Sequence, residues 1–115
     1  MLRPAIAALI VTAAASPAFA ADGGKLFALQ CKSCHGAASS PAGPALAGVA
    51  GAPIAGRKDY AYSTGLKAKA GTWTDANLDA FLKAPAAFAP GTRMMTAVPS
   101  AEARAALIAH LKTLK

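Results

Sequence analysis

Two cysteines and a histidine fall within five residues, Cys31-Lys32-Ser33-Cys34-His35. Outside this pentapeptide the chain has no further cysteine and one further histidine, His110. Three chemistries use such a group. A redox disulfide places Cys-x-x-Cys at a helix start after a strand, and nothing in residues 22–30 reads as a strand. A zinc site needs about four ligands. Here only the distant His110 could add to the group, and His35 stands too close to Cys34 for ordinary zinc-ligand spacing. Covalent haem attachment through Cys-x-x-Cys-His is the third. Two thioethers fix an edge of the porphyrin, and the adjacent imidazole is forced beneath the iron as an axial ligand. The motif is specific. It predicts one haem c bound through Cys31 and Cys34, with His35 on the iron.

The residues alone leave the second axial position open among His110, Met94, Met95 and no ligand at all. His110 follows Ile108 and precedes Leu111 in a helical pattern, where a lone histidine is more often a packed helix residue than a ligand. Met94 and Met95 stand in a loop. Methionine often fills gaps, but a thioether is also a neutral, soft donor that favours reduced iron and raises a haem potential. The 59 residues from His35 to Met94 let the chain wrap a haem and return.

The elements that must hold these groups read as helices and loops. Asp22 caps a short helix over Gly23–Ser33 with an apolar stripe of Leu26, Phe27, Leu29 and Gln30. Residues 36–58, rich in Gly, Pro, Ala and Ser, read as loop. A short helix is predicted within Tyr60–Lys69, ending near Gly71. Thr74 caps another over Asp75–Lys83, which Pro85 stops. Residues 84–99 form a Pro-punctuated loop. Ser100 caps the last helix, whose Leu107, Ile108, Leu111 and Leu114 form its buried face. Glu102 near its start and Lys112 and Lys115 near its end suit the helix dipole. The fold class is all-α, about four short helices and long loops wrapped around one haem, with no strand.

Composition sets the outer bounds. Of 115 residues 55% are hydrophobic, yet 33 of them are alanine, which adds little core volume. From residue 21 onward only 21 of 95 residues are Val, Ile, Leu, Met, Phe, Trp or Tyr. The length suits one domain, and a charged fraction of 15% with recurrent large apolar residues excludes a disordered chain. A chain of globular length with so few bulky side chains needs something else at its centre. Residues 1–20 read as a secretory signal: Arg3, the uncharged Ala5–Ala15 run broken only by Thr12, then Ser16-Pro17 and the small-residue site Ala18-Phe19-Ala20. The run is short of the about 20 residues that span a bilayer. Cleavage after Ala20 leaves residues 21–115 as the domain, with 11 Lys+Arg against 5 Asp+Glu, a net charge of +6.

Over nearly all of residues 22–115 the chain resembles the class I cytochromes c. The resemblance rests on Gly23, Phe27, Cys31-Lys32-Ser33-Cys34-His35-Gly36, Gly43-Pro44-Ala45-Leu46, Tyr60-Ala61-Tyr62, Trp73, Pro85 and Pro90-Gly91-Thr92-Arg93-Met94. It implies that Met94, rather than Met95, is the distal iron ligand and that the Pro44 carbonyl accepts a hydrogen bond from His35. Such a contact fixes the imidazole's orientation and basicity. It further implies that Tyr62 and Trp73 donate to a haem propionate and that Thr92 lines the distal loop. The first and last helices would cross, with Gly23 close to Leu107. Departures from the family pattern are also visible. Phe81 stands where mitochondrial relatives carry a Tyr that touches the ligand sulfur, which implies a less constrained Met94. Ala52 replaces a propionate-facing Arg, for which Arg57 is the candidate substitute, Ala84 replaces an Asn, and Phe88 replaces a Tyr.

The function implied is a monohaem His/Met electron carrier of the periplasm, not an enzyme, which works as a monomer. Lys32, Lys83 and Arg93 should ring the haem edge, extended by Lys25, Lys67, Lys69 and Lys112. They would steer the protein to acidic surfaces of redox partners such as a membrane oxidase, a reductase or a periplasmic dehydrogenase. Dispersed basic residues and export argue against nucleic acid. Two alternatives are a haem enzyme or sensor with a labile distal Met and a relay subunit held within an oxidase or dehydrogenase. Against the first, no distal His, Arg or acid is expected beside Met94. Export is checked by N-terminal sequencing of the purified protein: the first residue is Ala21, and a retained Met1 overturns the signal reading.

Overall fold

Four short polar side chains decide where helices begin. The computed structural model describes Ala8 and residues 22–115; the signal expected over residues 1–20 otherwise lies outside the described residues. The Asp22 carboxylate accepts from the Lys25 N–H at 3.1 Å and opens α1 (Gly23–Gln30). Ser63 does the same for Leu66 at 3.3 Å, opening α2 (Thr64–Lys67). Thr74 accepts from Asn77 at 3.2 Å ahead of α3 (Asp75–Lys83). α4 (Pro85–Phe88) has no side-chain cap, but Pro85 at its start has its φ already set for a helix and no N–H to satisfy. Ser100 accepts from Ala103 at 3.2 Å and opens α5 (Ala101–Leu111). Each cap satisfies a backbone donor that the first turn leaves without a partner.

The described residues thus form five helices rather than about four, since Pro85 both stops α3 and starts a helix of its own. The other differences also have local causes. α1 ends at Gln30 rather than Ser33, because Cys31 and Lys32 both donate back to the Phe27 carbonyl, at 2.9 and 3.0 Å, and close the helix. The helix predicted within residues 60–69 contracts to Thr64–Lys67, where Ser63 supplies the cap. Leu29, predicted on the apolar stripe of α1, is 81% exposed. It lies two residues, about 200° of helix rotation, from Phe27, which packs inward. Among the described residues there is no strand, only isolated bridges at Ser40–Gly43 and Pro53–Thr72.

α5 is the spine of the packing: α1 and α3 both pack against it, and α4 packs on α3. The core gathers Leu78 and Leu82 of α3, Leu107, Ile108 and Leu111 of α5, and Ile54, Trp73 and Val98 from loops. The α1–α5 crossing is closer than any side chain permits. A Cβ added at Gly23 would run into the Ala106 carbonyl, so backbone meets backbone one residue from the predicted contact with Leu107. Gly23→Ala must force the helices apart. It should destabilise the holoprotein by about 1–3 kcal/mol, the range for overpacking. That lowers Tm by roughly 4–8 °C per kcal/mol in a domain of this size. Thermal unfolding followed by circular dichroism checks it, and an unchanged Tm contradicts the crossing.

Candidate functional site

The motif residues continue α1 as a single turn. The Cys34 N–H donates to the Cys31 carbonyl at 3.2 Å, and the His35 N–H donates to the same carbonyl at 2.9 Å. Residues three apart on such a turn are neighbours on one side, so both thiols are offered together. Neither is in a disulfide; Cys31 is half-buried and Cys34 exposed. Burial pushes the Cys31 thiol up from its ordinary value, so it stays protonated. A redox disulfide motif instead works through a depressed cysteine pKa. Among the described residues no three His, Cys, Asp or Glu side chains gather as the ligand set of a zinc site would.

His35 is oriented by backbone. Its Nδ1 lies 2.8 Å from the Pro44 carbonyl oxygen. A carbonyl can only accept, so the proton sits on Nδ1 and the lone pair of Nε2 is left for a ligand bond. The Pro44 segment is itself fixed: Ser40 and Gly43 exchange backbone hydrogen bonds at 3.0 and 3.1 Å, and the Ala45 N–H donates to Ser39 Oγ at 2.9 Å. A Cβ at Gly43 would lie 2.8 Å from the Cys34 carbonyl oxygen and 3.2 Å from His35 Nδ1. Only glycine lets this loop lie against the ring.

These groups face a cavity of about 540 Å³ between α1, α3, α5 and the loops. All eight residues singled out in the sequence, Cys31, Cys34, His35, Pro44, Tyr62, Trp73, Thr92 and Met94, line it. His110 does not; its ring packs on Phe27 with centroids 5.0 Å apart. Met94 is half-buried and packs against the core, whereas Met95 reaches the cavity margin but is 84% exposed. Thr92, itself buried, accepts from the Met94 N–H at 3.4 Å and so steers the backbone that carries the thioether. Trp73 is anchored through its backbone, donating to the Ala52 carbonyl at 2.8 Å and accepting from Gly51 at 2.9 Å. Its indole N–H donates to no described residue. Trp73, Phe81 and Phe88 form an aromatic cluster with centroids 5.2–5.7 Å apart, so Phe81 is packed on one side and faces the cavity on the other. Burial raises the Tyr62 phenol above its ordinary value and keeps it a neutral donor.

Three charged side chains depart from the sequence reading. Arg57 borders the cavity, but its Nε and Nη2 grip Asp59 at 3.0 and 2.9 Å and its Nη1 reaches the Ala47 carbonyl at 3.3 Å. This guanidinium holds the Asp59 carboxyl below the usual carboxylate range. Arg93 also borders the cavity beside Met94, so an arginine does stand where none was expected. Its guanidinium bonds the Ala61 carbonyl and lies over the Tyr60 ring, 5.6 Å from the centroid. Lys112 pairs with Asp75 at 2.8 Å on a part of the surface that does not border the cavity. The sequence reading missed Val49 and Leu66 as lining residues. Val49 stands alone among Gly and Ala, and Leu66 among Ser, Thr, Gly and Lys, and that isolation was the only signal.

The donor set suits one group. Two free thiols a turn apart, an imidazole with Nε2 available, a thioether, a phenol and an indole N–H surround a volume walled by Phe27, Leu46, Leu78, Phe81 and Leu107. This fits a flat, largely apolar macrocycle attached through two thioethers, with a metal at its centre.

Comparison with known proteins agrees with that fit. A family model described as cytochrome c matches residues 20–115. The cytochrome c of Tetrahymena pyriformis is 42% identical over 97 residues, covering 83% of this chain and 88% of that protein. The cytochrome c-type cyt cy of Rhodobacter capsulatus is 42% identical over 94 residues, covering 80% of this chain. The match takes in 47% of that longer relative and 56% of the cytochrome c homolog of Rickettsia bellii, so the chain spans about half of each. Among solved structures, cytochrome cH from Methylobacterium extorquens superposes with a TM-score of 0.73 at 39% identity, covering 82% of this chain and 97% of that one.

Proposed function

The chain belongs to the cytochrome c family, whose members carry one covalently attached haem c and transfer electrons through it, and from that premise we propose that it is a periplasmic one-electron carrier with His35 and Met94 as axial ligands. The observation that carries this reading is the convergence on one cavity of Cys31, Cys34, His35 and Met94, with His35 in the tautomer that leaves Nε2 free. When bound, the haem supplies a one-electron couple at its iron.

The chain's residues do the rest. Pro44 fixes the imidazole and makes it a better donor. Met94 offers a neutral sulfur that favours the reduced state, and Thr92 holds its backbone in place. The apolar lining keeps water from the centre, which limits reorganisation when charge changes. Tyr62 and Trp73 supply donors for propionate oxygens. Cys34 and Met95 are exposed, so one side of the cavity reaches the surface; Lys32 and Arg93, next to them in the chain, are exposed too, as is Lys83. We assign this face to acidic redox partners, in the monomer. The haem-enzyme alternative is weakened by the commitment of Arg93 to Ala61 and Tyr60, which leaves it unavailable to act on a distal ligand. Export and cleavage after Ala20 rest on the pattern of residues 1–20.

Optical spectra of the oxidised and reduced protein test the ligand set. The reduced form shows covalent haem, and the oxidised form shows the weak red absorption of a Met–iron bond. Met94→Ala abolishes that band and leaves covalent attachment intact; a band that survives the substitution refutes Met94. Electron transfer to an acidic partner protein slows as ionic strength rises, because salt screens steering charges. A rate indifferent to salt contradicts the docking assignment.

A further inference from the structure

Arg104 on α5 is 6% exposed, the one charged residue in the buried core of the described chain. Its Nε donates to Asp79 Oδ1 of α3 at 2.7 Å, and its Nη1 donates to the carbonyls of Val98 and Pro99 at 3.0 and 2.8 Å. The fork of one guanidinium therefore joins three segments: α5, α3 and the far end of the loop that carries Met94. The loop is also tied there through the Val98 N–H, which donates to the Leu82 carbonyl at 2.8 Å. At its near end the Thr92 N–H donates to the Ala89 carbonyl at 2.9 Å, and Arg93 bonds the Ala61 carbonyl. Between the two anchors, residues 94–97 make no backbone-to-backbone hydrogen bond among the described residues. Apart from its own N–H on Thr92 Oγ, Met94 is carried on a span whose backbone is held at its ends.

We propose that Arg104, held by Asp79, is a positioning residue for Met94: it fixes the far anchor of the distal loop and so sets how readily the thioether leaves the haem iron. The proposal rests on Met94 being the axial ligand. Neither Arg104 nor Asp79 lines the cavity, so the effect passes through the loop rather than by contact with the haem. A lysine cannot replace this arrangement, because an ammonium is a point charge that cannot fork between a carboxylate and two carbonyls.

The test is binding of added imidazole to the oxidised holoprotein, which requires Met94 to withdraw and is read from the loss of the red Met–iron band. Arg104→Lys should bind imidazole about tenfold more tightly than the parent, the factor that corresponds to about 1.4 kcal/mol. Asp79→Asn keeps an acceptor but loses its charge, and should shift affinity in the same direction by a smaller factor. The control is Ile108→Val, a core substitution on the same helix that does not line the cavity and leaves every hydrogen bond of the clamp in place. It should lower Tm without changing imidazole affinity. If Arg104→Lys does not take up haem, Asp79→Asn carries the test. Unchanged affinity in the clamp variants, or an equal shift in Ile108→Val, overturns the proposal. A parent protein with no red band removes the Met94 reading instead, so the two failures are distinct.

Discussion

The middle of this fold is a volume of about 540 Å³ that its own side chains border but do not fill. Without an occupant its apolar lining faces water, so the burial that drives folding is missing from the middle of the chain. Five helices of 4–11 residues are too short to be stable alone and cannot make up for it. The haem of this family is therefore a part of the core, and the composition follows from it. Alanine makes up 33 of the 115 residues. On helices that close around a rigid macrocycle, small side chains bring backbone near without crowding, and the few large ones, such as Phe27, Leu46, Phe81 and Leu107, serve as walls.

Much of this was legible in the sequence because the chemistry is compressed into short segments. Cys31, Cys34 and His35 share one turn, and Thr74 and Ser100 set the starts of α3 and α5 where their local signals place them. What escaped was long-range. Leu29 carries the same hydropathy as Leu26, and only the direction of the α1–α5 crossing decides which of them is buried. Arg57 reads as a candidate partner for a propionate and Arg93 as a cation of the exposed edge; the partners they have, Asp59 and the Ala61 carbonyl, are supplied by how the loops fold back. Val49 and Leu66 acquire a role only when the wide loop regions wrap one cavity. Arg104 reads as an ordinary surface helix residue until α3 brings Asp79 beside it.

The rim of the cavity shows how the chain manages charge with few ionised groups. Ala52, Tyr62 and Trp73 all line the cavity, and on the proposed reading the phenol and the indole are the neutral donors left for the propionates. Arg57 is near but shared with Asp59, so the pair adds little net field at the rim. Exposed pairs of this kind contribute little stability. The Arg104–Asp79 contact differs because the arginine is buried and its remaining protons reach carbonyls. Removing Asp79 would leave the buried guanidinium without its counter-charge, which costs more than the pair itself contributes, whereas the half-exposed Asp79 can turn to water. Charge is thus placed where it fixes geometry.

The two sides of the haem site are held by different means, and that difference bears on electron transfer. On the His35 side the Cys31–His35 turn, the Pro44 carbonyl and the bridged loop over Ser40–Gly43 act close to the ring, so the imidazole has almost no freedom. On the side proposed for Met94 the constraints sit at the ends of a span, at Thr92–Arg93 and at Val98–Pro99. A carrier needs both ligands to stay in place as the iron changes charge, since any displacement adds to the barrier. One rigid ligand and one on a tethered span satisfy that need only while the tethers hold. On that reading the buried guanidinium that ties the far tether to α3 bears on the redox centre through the loop, without touching the haem.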